Sequence, residues 1–475
     1  MSARLPLLVD AFTQAARRAA ATGEPVLAAV SFPLPPLDLF DLVAHWDDGV
    51  TPWTFHETGE PSVALFGWDC AHALRATGDT RFAALDARWH ALVRAAVCAG
   101  PQPARAIGGF RFDPHAPRQP HWASFGDASL TLAKLLIVRE GDAYWAVCQH
   151  VVAAHDDPVA LARERDTRLA QLASLPAAPD DDAPRMLYTQ ALPAAEWQRR
   201  ARRAVDAIRR GTLSKVVLAR DVLLQVAQPV RIGPLLKRLR RRDPHAHLFA
   251  IREPGGCFVG ATPERLARVA DGRVQTHALA GTTPRGDDPA SDRALGDALL
   301  ACAKERHEHA LVVDAIRDAL APLSAALDVP AQPMLHRLPR LQHLSTPIGG
   351  PLDAGVTPLR VVAALHPTPA VAGHPRADAL AHIRAHEGFD RGWYAGPIGW
   401  IDSRGNGDFV VALRSALISE GACRLFAGCG LVADSEPERE YQETSLKLTS
   451  MQAAILQRER ADALCTVAPL RVRAT

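Results

Sequence analysis

Two pairs of glutamates, each three residues apart in a segment with helical periodicity, give the clearest indication of chemistry in this 475-residue chain. Glu305 and Glu308 form one pair, and Glu440 and Glu443 form the other. Residues three apart share a helix face, and paired carboxylates can bind a hard cation such as Mg²⁺. Taken alone, the pair of Glu440 and Glu443 also fits a solvated acidic face with a helical Glu–Lys pair, here with Lys447. Two such helices in one chain favour a divalent metal site.

Two further residues could carry acid–base chemistry. Lys215 lies in a β-branched strand, where its position favours a side chain that extends to solvent, whereas burial would lower its pKa and let it act as a base. Glu264 follows Thr262 and Pro263, which suit the N-cap and first position of a helix. Its carboxylate would lie near exposed backbone N–H groups, a position that also fits a purely structural interaction with the helix dipole.

A third set of residues suits substrate binding. Gly428 and Gly430 end an apolar strand, and without side chains they let backbone N–H groups approach a ligand closely. Arg414 lies between apolar residues on the second strand of a hairpin predicted across residues 403–407. A charge facing inward there needs a carboxylate partner, and a structural ion pair and a ligand fit equally well.

Composition and motifs exclude several classes of protein. The 54 basic and 52 acidic residues nearly balance, so there is no electrostatic case for a nucleic-acid partner. Six arginines in a helix predicted over residues 196–210 fit a solvated face, because no aromatic residues or recognised binding module accompany them. The segment His307-Glu308-His309 is not a zinc-protease motif, because position 311 is leucine. Nucleotide-binding and serine-hydrolase motifs are also absent from the sequence.

The cysteines and the apolar segments predict where the protein works. Its eight cysteines show no CxxC or zinc-site spacing, which is typical of free thiols in a reducing compartment. We identify no signal peptide, and no uncharged apolar stretch approaches the ~18 residues that a membrane span needs. We therefore expect a soluble, cytoplasmic protein without a membrane association.

The elements that must position these residues are helices and strands in mixed order. Apolar spacing predicts helices over residues 4–22, 81–99 and 299–320, and a strand over 130–138 that pairs with 143–147. A Pro- and Asp-rich linker over 175–184 separates a scaffold half, 1–184, from a catalytic half, 185–460. A tail over 461–475 follows, and both halves are expected to form one structural unit.

A series of sequence blocks runs in order from about Lys215 to Lys447. The blocks are SKVVLARD, FVGATPERL, HALAGTTPRG, KERHEHALVVDAI, LQHLSTPIGG, LHPTPAVAGHP, FDRGWYAGPIGW, FVVALRSALI and AGCGLVADSEPEREYQET. In these blocks the chain resembles the chorismate-utilising enzymes, and among them the isochorismate synthases. The resemblance implies an α+β fold in which two mostly antiparallel sheets pack together with helices on the outside. It also implies a Mg²⁺-dependent, reversible isomerase that acts on chorismate.

The resemblance also implies a role for each residue. Lys215 would be the general base for a water that attacks C2 of the ring, and Glu264 the general acid for the leaving C4 hydroxyl. Mg²⁺ would be held by Glu308 and Glu443, with Glu305 and Glu440 around it. The residues implied to bind or lie beside the substrate are Gly281, Thr282, His343, Ala370, Tyr394, Arg414, Gly428, Gly430 and Lys447.

Single residues distinguish isochorismate synthases from related enzymes that also use chorismate. Anthranilate and aminodeoxychorismate synthases do not keep a lysine at the position of Lys215 and usually pair with a glutamine amidotransferase, so we expect no such subunit here. The resemblance to isochorismate synthases also implies a monomer. Salicylate synthases keep the lysine and then eliminate pyruvate, but they typically carry threonine where this chain has Ala370. They are the alternative to an isochorismate synthase. A catalytically silent relative would lack the base, the acid or a metal carboxylate, and all are present.

Overall fold

The computed structural model describes residues 4–59, 62–172, 175, 183–337 and 341–457. Most of the predicted linker and the predicted tail over 461–475 lie outside these residues. Within them the chain forms eleven α-helices. They are α1 (Leu5–Thr22), α2 (Leu39–Trp46), α3 (Arg81–Arg94), α4 (Pro158–Gln171), α5 (Ala194–Arg209), α6 (Ile232–Arg242), α7 (Pro289–Ala301), α8 (Ala303–Leu320), α9 (Pro358–Leu365), α10 (Arg376–His386) and α11 (Pro437–Leu456). No helix in this part of the chain is long and apolar enough to cross a membrane.

The same residues form twenty β-strands. They are β1 (Val26–Leu34), β2 (Trp53–Thr58), β3 (Val63–Ala76), β4 (Val97–Ala99), β5 (Arg105–Phe110), β6 (Ala128–Glu140), β7 (Ala143–Val152), β8 (Met186–Ala191), β9 (Lys215–Val226), β10 (His247–Glu253), β11 (Gly256–Thr262), β12 (Arg265–Ala270), β13 (Arg273–Pro284), β14 (Met334–Arg337), β15 (Leu341–Pro351), β16 (Gly373–His374), β17 (Pro397–Asp402), β18 (Gly407–Val411), β19 (Ser415–Ser419) and β20 (Ala422–Leu431).

Hydrogen bonds join the strands into one network with two arms that share the long strands β3 and β6. β6 pairs with β3 along most of its length, with β5 at its beginning and with β7 at its end. From β5, one arm runs through β17, β18, β12, β13 and β15 to β14. From β3, the other runs through β2, β10, β11, β19, β20 and β9 to β8. These pairings are antiparallel, which confirms the predicted α+β class, and the predicted pairing of β6 with β7 is also confirmed.

The inner faces of the two arms pack together and form a core of aromatic side chains. Phe258 and Phe426 belong to one arm, and Phe110 and Phe409 to the other. Trp122 lies against the first two, with ring centroids 5.1 and 5.8 Å away. Burying a side chain of this size contributes about 1.5–3 kcal/mol. Residues from the predicted scaffold half, 1–184, therefore share one core with residues from the later part of the chain.

Three predicted helices differ from the structure. The helix expected after Thr262 is instead strand β12, because the segment 265–270 can complete hydrogen-bonded ladders with β13 and β18. The Thr262 hydroxyl still accepts a hydrogen bond from the backbone N–H of Glu264 at 3.2 Å, so the cap forms a turn without a helix. The helix expected over 299–320 is broken at Cys302, whose backbone is extended. The helix expected over 81–99 ends at Arg94, and strand β4 follows.

Candidate active site

Lys215 is buried at the beginning of β9, with 7% of its surface exposed. β9 pairs with β20 so that Lys215 passes over Gly430, where an added Cβ would lie 2.9 Å from the Lys215 Cε atom. The Lys215 ammonium donates a hydrogen bond to Glu308 Oε1 at 2.7 Å. From its position in the strand, Lys215 was expected to extend to solvent. That expectation is wrong, because Gly430 has no side chain and leaves room for Lys215 inside the protein.

Glu264 lies in the turn between β11 and β12, close enough to Lys215 and Lys447 for their charges to act on its carboxyl. Burial raises the pKa of its carboxyl to about 7, while the positive charges of Lys215 and Lys447 act in the opposite direction. Within the described residues its carboxyl makes no hydrogen bond, so no donor stabilises the ionised form. A carboxyl with this pKa is protonated in a large fraction of molecules near neutral pH, as a general acid must be.

Arg414 has a different backbone position from the one predicted. The strand expected over 408–418 is two strands, β18 and β19, and Arg414 lies between them with a φ of 49°. It therefore does not share a strand face with its apolar neighbours. Its guanidinium is partly buried, burial lowers its pKa, and it makes no hydrogen bond or ion pair within the described residues. A partly buried cation without a partner is suited to a carboxylate of a ligand.

Tyr394 and Lys447 border the glycine strand near Arg414. The Tyr394 ring stacks on Phe426 with centroids 5.2 Å apart, and its hydroxyl lies 3.3 Å from the position of an added Cβ on Gly428. The Lys447 ammonium donates to the Gly428 carbonyl oxygen at 2.9 Å and pairs with Glu443 at 2.6 Å. The two side chains thus flank the backbone of Gly428, as substrate-positioning groups would.

The four glutamates lie on α8 and α11, as predicted. Glu308 and Glu443 are each paired with a lysine, whereas Glu305 Oε2 lies 3.1 Å from the position of an added Cβ on Gly281. Burial raises the pKa of Glu440, and the nearby charge of Glu443 raises it further. In the described part of the chain, no three histidine, cysteine, aspartate or glutamate side chains lie close enough to hold one ion.

This donor set fits Mg²⁺ by its chemistry. Proteins usually hold Mg²⁺ through one or two carboxylates, and water and substrate complete the shell. Glu308 and Glu443 can each offer a carboxylate from a different helix. Their charges are balanced by Lys215 and Lys447 in this structure.

The remaining predicted binding residues lie on β13, on β15 and in the segment between α9 and β16. Gly281 forms a bulge in β13 with a φ of 79°, where any side chain would strain the backbone. Thr282 Oγ1 lies 2.9 Å from His343 Nδ1 across the β13–β15 pair. Burial lowers the pKa of His343 to about 4, and nearby positive charges, among them Arg414, lower it further, so the ring is neutral. Ala370 and Glu264 line one small cavity.

A buried ion pair that was not predicted from the sequence contacts β9, the strand that carries Lys215. Glu387 follows α10, and Arg391 lies four residues later in the FDRGWYAGPIGW block. Their side chains pair through Arg391 Nε and Glu387 Oε1 at 2.6 Å. The i,i+4 spacing of Glu and Arg was visible, but nothing local indicates that both charges are buried.

Comparison with known proteins gives consistent matches. A family model described as chorismate binding enzyme matches residues 12–456. The salicylate biosynthesis isochorismate synthase of Pseudomonas aeruginosa is 47% identical over 460 residues, which cover 96% of this chain and 95% of that protein. The isochorismate synthase MenF of Bacillus subtilis is 37% identical over 74% of each chain. The solved structure of the menaquinone-specific isochorismate synthase MenF from Escherichia coli superposes with a TM-score of 0.76 at 26% identity, covering 94% of this chain and 99% of that one.

Proposed function

Because the chain belongs to the chorismate-binding enzyme family, we propose that its site converts chorismate to isochorismate. One observation carries the proposal beyond the family. Lys215 is buried beside Gly430, and the Glu264 carboxyl, with a pKa of about 7, is close enough for the charge of Lys215 to lower that pKa. The reaction adds water at one carbon and releases a hydroxyl from another, so it requires one base and one acid. Lys215 and Glu264 would supply them.

The chemistry follows from these two groups. The Lys215 ammonium would first release a proton, and the neutral amine would then accept a proton from a water molecule whose oxygen forms a bond to C2 of the ring. The ring double bonds shift, the bond from C4 to its hydroxyl breaks, and Glu264 donates a proton so that the hydroxyl leaves as water. The product has the same composition as the substrate, and one proton transfer from Lys215 to Glu264 restores the enzyme. Each step can run backwards, so the reaction is reversible.

The substrate would be held by its two carboxylates. Arg414 has no partner in the described residues and would bind the enolpyruvyl carboxylate, with Tyr394 and Lys447 beside it. Gly281, Thr282, His343, Ala370, Gly428 and Gly430 would form the walls of the site. When bound, Mg²⁺ would supply a positive centre for the ring carboxylate, held by Glu308 and Glu443, with Glu305 and Glu440 around it.

We further propose a monomer that works in the cytoplasm without a glutamine amidotransferase. The nucleophile in this reaction is water, so no ammonia-producing subunit is required. The seven cysteines within the described residues are free thiols, as expected in a reducing compartment. The relatives reported above are named isochorismate synthases, so the alternative of a salicylate synthase is not favoured.

Product analysis tests this function. Purified protein is incubated with chorismate and Mg²⁺, with and without ammonia, and with EDTA as the control. We expect the protein to form isochorismate without pyruvate, and the reaction to stop at a mixture of isochorismate and chorismate. With EDTA we expect no product. Salicylate with stoichiometric pyruvate would instead establish the alternative. An ammonia-dependent amino product would contradict the assignment of Lys215.

A further inference from the structure

The buried pair of Glu387 and Arg391 connects three segments that border the active site. Glu387 is 2% exposed and Arg391 is 3% exposed. Besides binding Arg391, the Glu387 carboxylate accepts a hydrogen bond from the backbone N–H of Ala219 at 2.8 Å. Since Ala219 belongs to β9, this contact holds the strand that begins with Lys215.

Arg391 makes two further contacts with backbone near the site. Its guanidinium donates to the Val217 carbonyl oxygen at 2.8 Å and to the Val371 carbonyl oxygen at 2.9 Å. Val217 lies two residues after Lys215, and Val371 directly follows Ala370. The backbone carbonyl of Arg391 accepts from the N–H of Tyr394 at 2.9 Å. One guanidinium thus fixes the spacing between the strand of the base and the loop that lines the cavity beside Glu264.

The N-terminal half contributes to this arrangement. The Phe112 ring lies under the guanidinium, with Arg391 Cζ 4.3 Å from the ring centroid. A planar guanidinium with a fixed fork of donors can satisfy a carboxylate and two carbonyls together, which an ammonium cannot do in the same geometry. Both side chains are covered by protein.

We propose that Glu387 and Arg391 are positioning residues for the reaction, setting the distance of Lys215 from the opposite wall of the site. The proposal rests on the function proposed above. In this proposal Glu387 and Arg391 affect turnover through the backbone of β9, without contacting the substrate. A misplacement of about 1 Å in a catalytic group can cost about 100-fold in rate. Within the described residues, no hydrogen bond links the side chain of Glu387 or Arg391 to Arg414, which is proposed to bind the substrate.

The test compares Arg391→Lys with a matched control, Arg252→Lys. Arg252 also makes a two-point ion pair, with Asp47 at 3.0 and 2.8 Å, and its guanidinium also lies over an aromatic ring, Trp53. Within the described residues its side chain makes no hydrogen bond to β9, which carries Lys215, or to the segment around Ala370. Each variant is assayed at the same interval below its own midpoint of thermal unfolding. Turnover, the KM for chorismate and amide hydrogen exchange over residues 215–221 are measured.

For Arg391→Lys we expect kcat to fall about 10- to 100-fold with KM changed less than about 3-fold, and faster exchange in β9. For Arg252→Lys we expect a lower unfolding midpoint with unchanged kcat and β9 exchange. If Arg391→Lys matches this control in kcat and exchange, the positioning role is wrong.

A milder variant covers the case in which Arg391→Lys does not fold. Phe112→Leu removes the ring beneath the guanidinium and keeps the ion pair, and we expect a fall in kcat of about 3- to 10-fold with faster β9 exchange. Unchanged kcat and exchange in this variant would overturn the proposal. Failure of the wild-type protein to form isochorismate would instead refute the proposed function, while the exchange measurement still tests the positioning of β9.

Discussion

Glu264→Gln should inactivate the enzyme. It should also make the free energy of unfolding fall less as the pH rises. The wild-type carboxyl has a pKa of about 7 in the folded protein, against an ordinary value of 4.5, because burial disfavours its charged form. Between these two values the folded state binds more protons than the unfolded state, so stability falls as the pH rises through this window. The full shift in pKa corresponds to about 3 kcal/mol of stability. This stability is fully present below the pKa of the unfolded state and is lost above the pKa of the folded state.

The measurement is the free energy of unfolding in denaturant, in EDTA, at about pH 5.5 and about pH 8. Over this interval the wild-type protein should lose about 2 kcal/mol through Glu264 alone. Glutamine has no carboxyl to titrate, so the stability of Glu264→Gln relative to wild type should rise by that amount. Turnover should fall by about 10²- to 10⁴-fold, because the leaving hydroxyl loses its proton donor.

Thr262→Ser provides a control in the same turn. It removes a buried methyl group but keeps the hydroxyl that accepts the Glu264 backbone hydrogen bond. Its stability relative to wild type should therefore be independent of pH. If the difference between Glu264→Gln and wild type is also constant from pH 5.5 to pH 8, the carboxyl is not perturbed by burial. The assignment of Glu264 as the acid would then lose its physical basis.

Three other substitutions test the remaining parts of the site. Lys215→Ala should reduce turnover by about 10²- to 10⁴-fold while chorismate still binds, as measured by product formation and calorimetry; retained turnover would refute the base assignment. Glu443→Gln should raise the Mg²⁺ concentration needed for half-maximal activity, and a titration curve identical to wild type would contradict the metal assignment. Arg414→Gln should raise KM for chorismate by about 10- to 100-fold, because charge-assisted hydrogen bonds contribute about 1.5–3 kcal/mol, and an unchanged KM would exclude contact with a substrate carboxylate.

Local patterns in the sequence located many of the elements correctly. The helix predicted over residues 196–210 is α5, where Trp197, Ala201, Ala204 and Ile208 are buried. The helical spacing of Glu440 and Glu443 predicted a helix, and both residues lie in α11. Such features follow from the periodicity of a single segment, which is the same whatever packs against it.

Other features depended on contacts that no single segment contains. Thr262 and Pro263 predict a helix by their local preference, but the ladders that β12 forms with β13 and β18 outweigh a cap worth about 1 kcal/mol. Arg414 leaves the strand pattern because the chain turns between β18 and β19. In both places tertiary hydrogen bonding decided the backbone conformation.

The sequence by itself determined the α+β class, the order of the motif blocks and the identity of the residues that could do chemistry. Only the tertiary structure decided that Lys215 is buried against Gly430, that it meets Glu308, 93 residues away, and that Glu387 and Arg391 are enclosed beneath it. The reason is physical. Residue types and their spacing are local properties, whereas burial, and with it the cost of a charge and the pKa of an acid, depends on which distant segments exclude water from the group.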